Sequence, residues 1–191
     1  MNLISDILAH NQSFVANREY ERYRTDRFPD KKLVIVSCMD TRLVELLPRA
    51  MDVRNGDVKL IKNAGAIVSH PFGSVMRSIL VGVYELGAAE VAIVGHTGCG
   101  MTGLSCSRIL AKAETRGISP DAIREIEASG AVNLRQWLTG FDNVEDGVRR
   151  SVSLVRHHPL LPKDVPVHGL LIDSETGKLD LLDDGYAREP Q

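Results

Sequence analysis

The sequence predicts an α/β fold in which a mainly parallel β-sheet is flanked by helices. The runs KKLVIVSCMD and VAIVG are rich in β-branched residues, which is typical of strands buried on both faces of a sheet. Segments with helical spacing separate these runs, and strands that alternate with helices favour a parallel sheet. Helical patterns dominate from Met101 to about His157, so we expect helical additions after the second run.

Local patterns predict the remaining elements. Apolar residues at helical spacing indicate an amphipathic helix over about the first twenty residues. LVELLPRAM predicts a helix, VKLI a short strand and Asn63-Ala64-Gly65 a turn. Ser74 is expected to cap a helix that ends at Gly87. VHGLLID predicts a late strand, and SETGKLDLL predicts a turn followed by an edge strand.

Length and composition indicate one domain without a nucleic-acid or membrane partner. The 191 residues fit a single domain, which we divide into a helical arm (1–30) and an α/β core (31–191). The net charge is -2 and basic residues form no stripe, which argues against binding to nucleic acid. No apolar run approaches the roughly 18 residues that a membrane span needs. The start of the chain lacks the features of a signal peptide, so we expect a cytoplasmic protein.

Three predicted strand ends should meet at one edge of the sheet. In open α/β sheets, ligands bind beyond the carboxyl ends of the strands. Cys38 ends one predicted strand, the turn 63–65 follows a second, and His96 follows the third. We therefore expect these segments to be neighbours, although Cys38 and His96 are 58 positions apart.

The stretch VAIVGHTGCGMTG supports two hypotheses. Its glycines spell GxGxxG after a strand, the pattern of a dinucleotide-binding turn. That fold also requires a second strand with an acidic residue at its end, about 20 residues further on. The chain instead continues with AETRGISPDAIREIEASG, which is polar and helical. The dinucleotide hypothesis is therefore disfavoured.

A metal site accounts for more of the residues at this edge. Cys38 and Cys99 can supply thiolates and His96 an imidazole, which are donors that zinc prefers. Each residue alone would more simply be buried in the core. Three such residues at strand ends next to glycines favour a site with an open fourth position, and Cys106 is expected to pack in a helix.

An acidic and a basic residue accompany the first cysteine. Asp40 lies two positions after Cys38, so an extended backbone would point both side chains to the same side. Arg42 follows two positions later, where a bidentate ion pair would keep Asp40 ionised and oriented beside the metal.

Together these motifs resemble the β-class carbonic anhydrases, in particular their short, archaeal-type branch. The resemblance runs from about Lys32 to Gly103 and rests on CMDTR, then GD, NAG and GHTGCG, in that order. It implies that Cys38, His96 and Cys99 bind one Zn²⁺ per chain and that Asp40 and Arg42 form a catalytic dyad. It also implies a homodimer or larger oligomer in which the N-terminal helix reaches over the partner.

The implied reaction is the reversible hydration of carbon dioxide to bicarbonate and a proton by a zinc-bound hydroxide, which the Asp40–Arg42 dyad orients. Asp40 could instead bind zinc as a fourth ligand and close the site. The backbone amides of Gly65 and Gly98 are candidates for substrate contacts, although both glycines could simply form tight turns. Two alternatives are hydrolysis of COS or CS₂ on the same scaffold and a non-catalytic zinc-binding module that recruits a protein partner.

Overall fold

A computed structural model of the chain describes residues 2–187. Within this range the chain forms five strands, β1 (Leu33–Cys38), β2 (Val58–Asn63), β3 (Glu90–His96), β4 (Val167–Ile172) and β5 (Leu179–Asp183). The same residues form seven α-helices, α1 (Leu3–Ala16), α2 (Leu46–Ala50), α3 (Ser74–Tyr84), α4 (Cys106–Thr115), α5 (Pro120–Ser129), α6 (Leu134–Leu138) and α7 (Val144–Arg156). Short 3-10 helices span Glu19–Tyr23, Thr41–Leu43 and Ala64–Ala66.

The strands form one sheet in the order β2-β1-β3-β4-β5. All neighbouring pairs are parallel except β4 and β5, which are antiparallel. The predicted α/β class and the final edge strand are therefore confirmed. In the register of β1 and β2, Cys38 lies opposite Asn63. The ends of β1, β2 and β3 thus meet at one edge of the sheet, which we call the carboxyl edge.

Apolar clusters cover both faces of the sheet. On one face, Val34 and Val36 of β1 pack in a cluster that includes Ile79 of α3 and Val152 of α7. On the other face, Ile35 belongs to a second cluster, whose members include Leu43, Leu47, Val94, Cys99 and Phe141. Burial on both faces explains why β1 and β3 read as uninterrupted apolar runs.

Two local predictions need correction. Ser74 does not cap α3: the cap position is Gly73, whose backbone is already extended (φ -82°, ψ 171°), so Ser74 is the first helical residue. The helical region after β3 also begins later than predicted, at Cys106, because residues 97–105 form turns. No strand follows within the next 60 residues, as the case against a dinucleotide fold predicted.

The N-terminal helix α1 leaves its apolar residues exposed. Leu3, Ile4 and Leu8 are 72%, 64% and 58% exposed, and α1 buries none of its residues. Among the described elements, its main contacts are with the 3-10 helix Glu19–Tyr23 that follows it. Within residues 2–187, no helix combines the length and the apolar character that a membrane span requires.

Candidate metal centre

The two strands at the middle of the parallel sheet carry the predicted metal ligands at their ends. Cys38 is the last residue of β1 and His96 the last of β3, and the parallel pairing of these strands brings the ends together. Cys99 follows after a turn in which Gly98 has a φ of +63°, a value that favours glycine. The sulfurs of Cys38 and Cys99 lie 3.9 Å apart. The three candidate ligand atoms are all within 4.8 Å of one another, on buried residues.

His96 presents one ring nitrogen to this cluster. Its Nδ1 lies 2.8 Å from the carbonyl oxygen of Thr97, and because a carbonyl can only accept, we assign the proton to Nδ1. Nε2 is then an acceptor. It is buried, and no hydrogen-bond partner for it exists within residues 2–187. The nearby carboxylate oxygen Oδ2 of Asp40 is 3.8 Å away. A buried nitrogen without a hydrogen-bond partner lowers the free energy of unfolding, and coordination to a metal ion would give this nitrogen a partner.

The donor set and its spacing fit a zinc ion. Zinc prefers sulfur and nitrogen donors, and with Zn–S bonds of about 2.3 Å a tetrahedral ion separates two sulfurs by about 3.8 Å. The observed separation of 3.9 Å agrees with this value. Three protein ligands leave one position open, as in catalytic sites, whereas structural zinc sites usually have four.

The thiols of Cys38 and Cys99 have opposite pKa shifts, so that Cys99 holds the proton between the two sulfurs. The pKa of the Cys38 thiol is lowered to about 4, mainly because the Cys99 thiol donates a hydrogen bond to it, with further lowering by His96 and the backbone of Gly65. The pKa of Cys99 is raised, because it gives that hydrogen bond and is buried. Burial lowers the pKa of His96, but its contacts with Cys38 and Thr97 outweigh burial and raise it. Metal binding therefore has to displace protons from this cluster.

Asp40 and Arg42 form the bidentate pair that the sequence predicts. Arg42 Nε donates to Asp40 Oδ1 at 2.9 Å, and its terminal nitrogen Nη2 donates to Oδ2 at 2.8 Å. The same Nη2 donates to the carbonyl of Gly98 at 3.0 Å, which ties the pair to the turn before Cys99. These hydrogen bonds hold the pKa of the Asp40 carboxyl well below its usual range. Asp40 is therefore an oriented carboxylate beside His96.

The two glycines predicted to contact substrate have other contacts. The Gly65 amide donates to the sulfur of Cys38 at 3.4 Å, and Gly65 has a φ of +78°. A side chain at Gly65 would also collide with Met101, because an added Cβ would lie 2.9 Å from its Cγ. Gly98 is exposed and bonds to Arg42 through its carbonyl. A substrate contact at either glycine stays a prediction. Cys106 begins α4 and lies outside the described metal cluster.

The turn between β4 and β5 supports His96 in a way that the sequence analysis missed. Ser174 Oγ donates to the Thr97 carbonyl at 3.0 Å, the same oxygen that accepts from His96. The Ser174 amide donates to Thr97 Oγ1 at 3.0 Å. Asp173 in turn accepts backbone hydrogen bonds within its own turn. The order of β3 and β4 in the sheet creates these contacts, and a sequence pattern alone does not reveal that order.

A groove of about 810 Å³ lies next to the metal centre. It begins at Ala64 and Met101, which neighbour Gly65 and Cys99 in the chain, and extends along α6 and α7 past Trp137. Neither the candidate ligands nor Asp40 line it. The groove is therefore adjacent to the metal centre and separate from it.

The fold and the site define a class of α/β proteins with a cluster of two cysteines and one histidine at the carboxyl edge of the sheet. The family model described as carbonic anhydrase matches residues 33–179. The provisionally named carbonic anhydrase YvdA of Bacillus subtilis (strain 168) is 60% identical over 97% of this chain and 94% of its own length. This chain belongs to the β-carbonic anhydrase family.

Other relatives include a solved structure and an enzyme that is named for a different substrate. The crystal structure of β-carbonic anhydrase isoform I (TvaCA1) of Trichomonas vaginalis has a TM-score of 0.87 and 35% identity, over 97% of this chain and all of that chain. A carbon disulfide hydrolase of Acidithiobacillus thiooxidans is 29% identical over 93% of this chain and 84% of its own length. The family thus includes proteins named for two different substrates.

Proposed function

We propose that this protein is a zinc-dependent carbonic anhydrase that catalyses the reversible hydration of carbon dioxide to bicarbonate and a proton. The observation that carries the proposal is the buried Nε2 of His96, which has no partner in the described chain and lies beside two cysteine sulfurs. Membership of the β-carbonic anhydrase family supports the same reaction.

Cys38, His96 and Cys99 would hold the zinc. When bound there, zinc would supply a water of lowered pKa as the nucleophile. The Thr97 carbonyl keeps the proton of His96 on Nδ1, so that Nε2 is available as a ligand. The Gly65 amide donates to the Cys38 sulfur, which stabilises that sulfur as a thiolate.

Asp40 and Arg42 would form the catalytic dyad. The Asp40 carboxylate accepts three hydrogen bonds from Arg42, two from its guanidinium and one from its backbone amide. This fixes Oδ2 at 3.8 Å from His96 Nε2, where it would accept a hydrogen bond from the reacting water and orient that water towards carbon dioxide. The same position allows Asp40 to serve as a fourth ligand in a closed site. Arg42 would determine whether Asp40 orients the water or binds the zinc, because it donates hydrogen bonds to both carboxylate oxygens.

Hydrolysis of carbon disulfide or COS is the second candidate reaction, because a relative named carbon disulfide hydrolase matches most of the chain. These substrates are linear and apolar like carbon dioxide, so the same donor set and dyad would serve. A non-catalytic zinc module is the third candidate, and it requires no role for Asp40.

The test is stopped-flow hydration of carbon dioxide by protein of measured zinc content, with Cys38→Ala as the control. We expect about one zinc per chain and hydration that the control lacks. The rate should rise towards alkaline pH, since two thiolates offset the charge of the metal. Turnover of CS₂ or COS without hydration would favour the second reaction. Zinc binding with neither activity would favour a non-catalytic module.

We also propose that the protein is a cytoplasmic homodimer or larger homo-oligomer, built from one domain with residues 1–30 as an arm. The exposed apolar residues of α1 and the groove next to the metal centre support an arm that packs against a partner. Sedimentation of the full chain, compared with a Leu3→Glu, Leu8→Glu double variant, tests this. A monomer in both cases would contradict it.

A further inference from the structure

Lys62 lies on β2 directly behind the segment that carries the dyad. It is the next-to-last residue of an edge strand, half-buried, and opposite Ser37 in the register of β1 and β2. Its ammonium Nζ donates to the carbonyl oxygen of Cys38 at 3.4 Å and to that of Leu43 at 3.3 Å. One cation thus connects the first and last residues of the segment 38–43.

That segment contains one candidate ligand and both members of the dyad. Beyond Lys62, the Met39 amide donates to the Asn63 carbonyl at 2.8 Å, and Asp40 caps the 3-10 helix Thr41–Leu43. The two carbonyl contacts of Lys62 therefore add a cross-link that the ordinary strand pairing does not provide. Loss of this cross-link would free the segment to shift while β1 and β2 stay paired.

The charge of Lys62 also matters at this position. Once both cysteines have lost their protons to bind the metal, two thiolates and the Asp40 carboxylate bring three negative charges to the site, and Arg42 pairs only with the Asp40 carboxylate. The Lys62 ammonium, 3.4 Å from the Cys38 carbonyl oxygen, places a second cation next to this site. A nearby cation lowers the free energy that is needed to form thiolates at buried cysteines.

We propose that Lys62 is a positioning residue of the metal centre, whose ammonium fixes the segment 38–43 and offsets the negative charge of the ligand set. This inference rests on the proposed zinc site. Lys62 does not touch the reacting atoms; it acts through Cys38 and Asp40.

Lys59 provides a matched control. It lies on the same strand, three residues earlier, and its ammonium also donates to a backbone carbonyl, that of Arg27. Its contact is with the segment before β1, away from the ligands. A general effect of losing a lysine from this edge strand should therefore appear equally in Lys59→Met and Lys62→Met.

The experiment measures the zinc dissociation constant of the full chain by competition with a chelator of known affinity. The variants are Lys62→Met, Lys62→Arg and Lys59→Met, and the free energy of unfolding of each zinc-free protein is measured in parallel. We expect Lys62→Met to raise the dissociation constant by about 10- to 100-fold, as for other groups that orient metal ligands. Lys59→Met should leave it unchanged. Lys62→Arg should restore most of the affinity, since it keeps the charge and the donors.

A spectroscopic measurement separates positioning from general stability. With Co²⁺ in place of zinc, the thiolate-to-metal absorption reports the geometry at the sulfurs. We expect this absorption to change in Lys62→Met and to match the wild type in Lys59→Met. If Lys62→Met does not fold, Lys62→Gln keeps a donor without the charge and should also weaken zinc binding.

The outcomes distinguish this inference from the proposed function. Wild-type protein that binds no zinc would overturn both. Wild-type protein that binds zinc, with equal affinity in Lys62→Met or Lys62→Gln, would overturn the inference and leave the proposed function intact. Equal losses in Lys62→Met and Lys59→Met, or an unchanged cobalt spectrum, would also overturn it.

Discussion

The carboxyl edge of the sheet and the end of α7 each bury a histidine, and the two imidazoles differ in one respect. At the end of α7, His158 is 2% exposed, and both of its ring nitrogens are paired: Nε2 lies 2.9 Å from the Pro71 carbonyl, and Nδ1 accepts from the Leu160 amide at 3.1 Å. At the carboxyl edge, His96 is fully buried but has only Nδ1 paired within the described chain.

This difference indicates two kinds of buried histidine. An imidazole with both nitrogens paired joins two backbone segments and needs no ligand, so His158 is a structural residue. An imidazole whose second nitrogen faces two sulfurs is incomplete until something binds it. Burial alone would not separate the two residues. Their hydrogen bonds do.

The largest effect should follow the loss of the incomplete imidazole. His96→Ala is expected to lose stoichiometric zinc, and its hydration of carbon dioxide should fall to the uncatalysed rate, because two thiolates alone leave the site without its nitrogen donor. Zinc content and stopped-flow hydration measure this change. His10→Ala, at an exposed residue of α1, is the control and should match the wild type. A His96→Ala protein that keeps one zinc per chain would contradict the assignment of Nε2 as a ligand.

The next effect separates the dyad from the ligands. Asp40→Asn should keep its zinc but lose about 10²-fold in kcat, because the neutral amide loses the bidentate pair with Arg42 and no longer orients the reacting water. Zinc analysis and hydration kinetics on the same sample measure both quantities. Full activity in Asp40→Asn would remove the carboxylate from the mechanism and count against the proposed dyad.

The paired imidazole should give the opposite result. His158→Ala should keep its zinc and its activity but lower the free energy of unfolding by about 2 kcal/mol, because the Pro71 carbonyl and the Leu160 amide lose their partner in a buried place. Denaturant unfolding of the zinc-free protein measures this loss. A loss of zinc affinity in His158→Ala, without a loss of stability, would erase the distinction between the two histidines.

The sequence predicts the main parts of the site because they depend on local pattern. The β-branched runs identify β1 and β3, and their parallel pairing follows from the alternation of strands and helices. Parallel strands place Cys38 and His96 at the same edge of the sheet, with Asp40 and Arg42 adjacent in the chain, and the pairing of β1 with β3 then brings the two ligands together. Gly98 then provides the turn to Cys99.

The supporting contacts depend on the order of the strands, which local pattern does not reveal. Lys62 meets the Cys38 carbonyl only because β2 pairs with β1, and Ser174 meets Thr97 only because β4 pairs with β3. A lysine on a short strand and a serine in a turn have no distinctive sequence pattern. The unpaired Nε2 of His96 likewise became evident only from the contacts of the folded chain.

The smallest expected effect tests whether the support of His96 extends into the β4–β5 turn. Asp173 Oδ1 accepts from the amides of Thr176 and Glu175 at 2.7 and 3.0 Å, and these hydrogen bonds lower the pKa of Asp173, Thr176 contributing most. A carboxyl whose pKa is lowered on folding stabilises the protein above its unfolded pKa of about 3.9, and this stabilisation is lost as the pH falls through the folded value. Asp173→Asn should therefore lower Tm slightly at neutral pH, and the difference from the wild type should shrink in acid below about pH 4.

Thermal unfolding of the zinc-free proteins at several pH values measures this dependence. Thr176→Val removes one hydroxyl donor to Asp173 and keeps the carboxylate, so it is the matched control. The Tm of Thr176→Val should also be lower than that of the wild type at neutral pH, and this difference should also shrink in acid. It should be smaller than the difference for Asp173→Asn, because the backbone donors to Asp173 remain. A Tm difference for Asp173→Asn that stays constant from neutral to acid pH would mean that the carboxylate charge does not hold the turn. The contacts that position His96 would then extend no further than the Thr97 carbonyl and the Ser174 hydroxyl that donates to it, and His96, like His158, would depend only on the groups nearest to its ring.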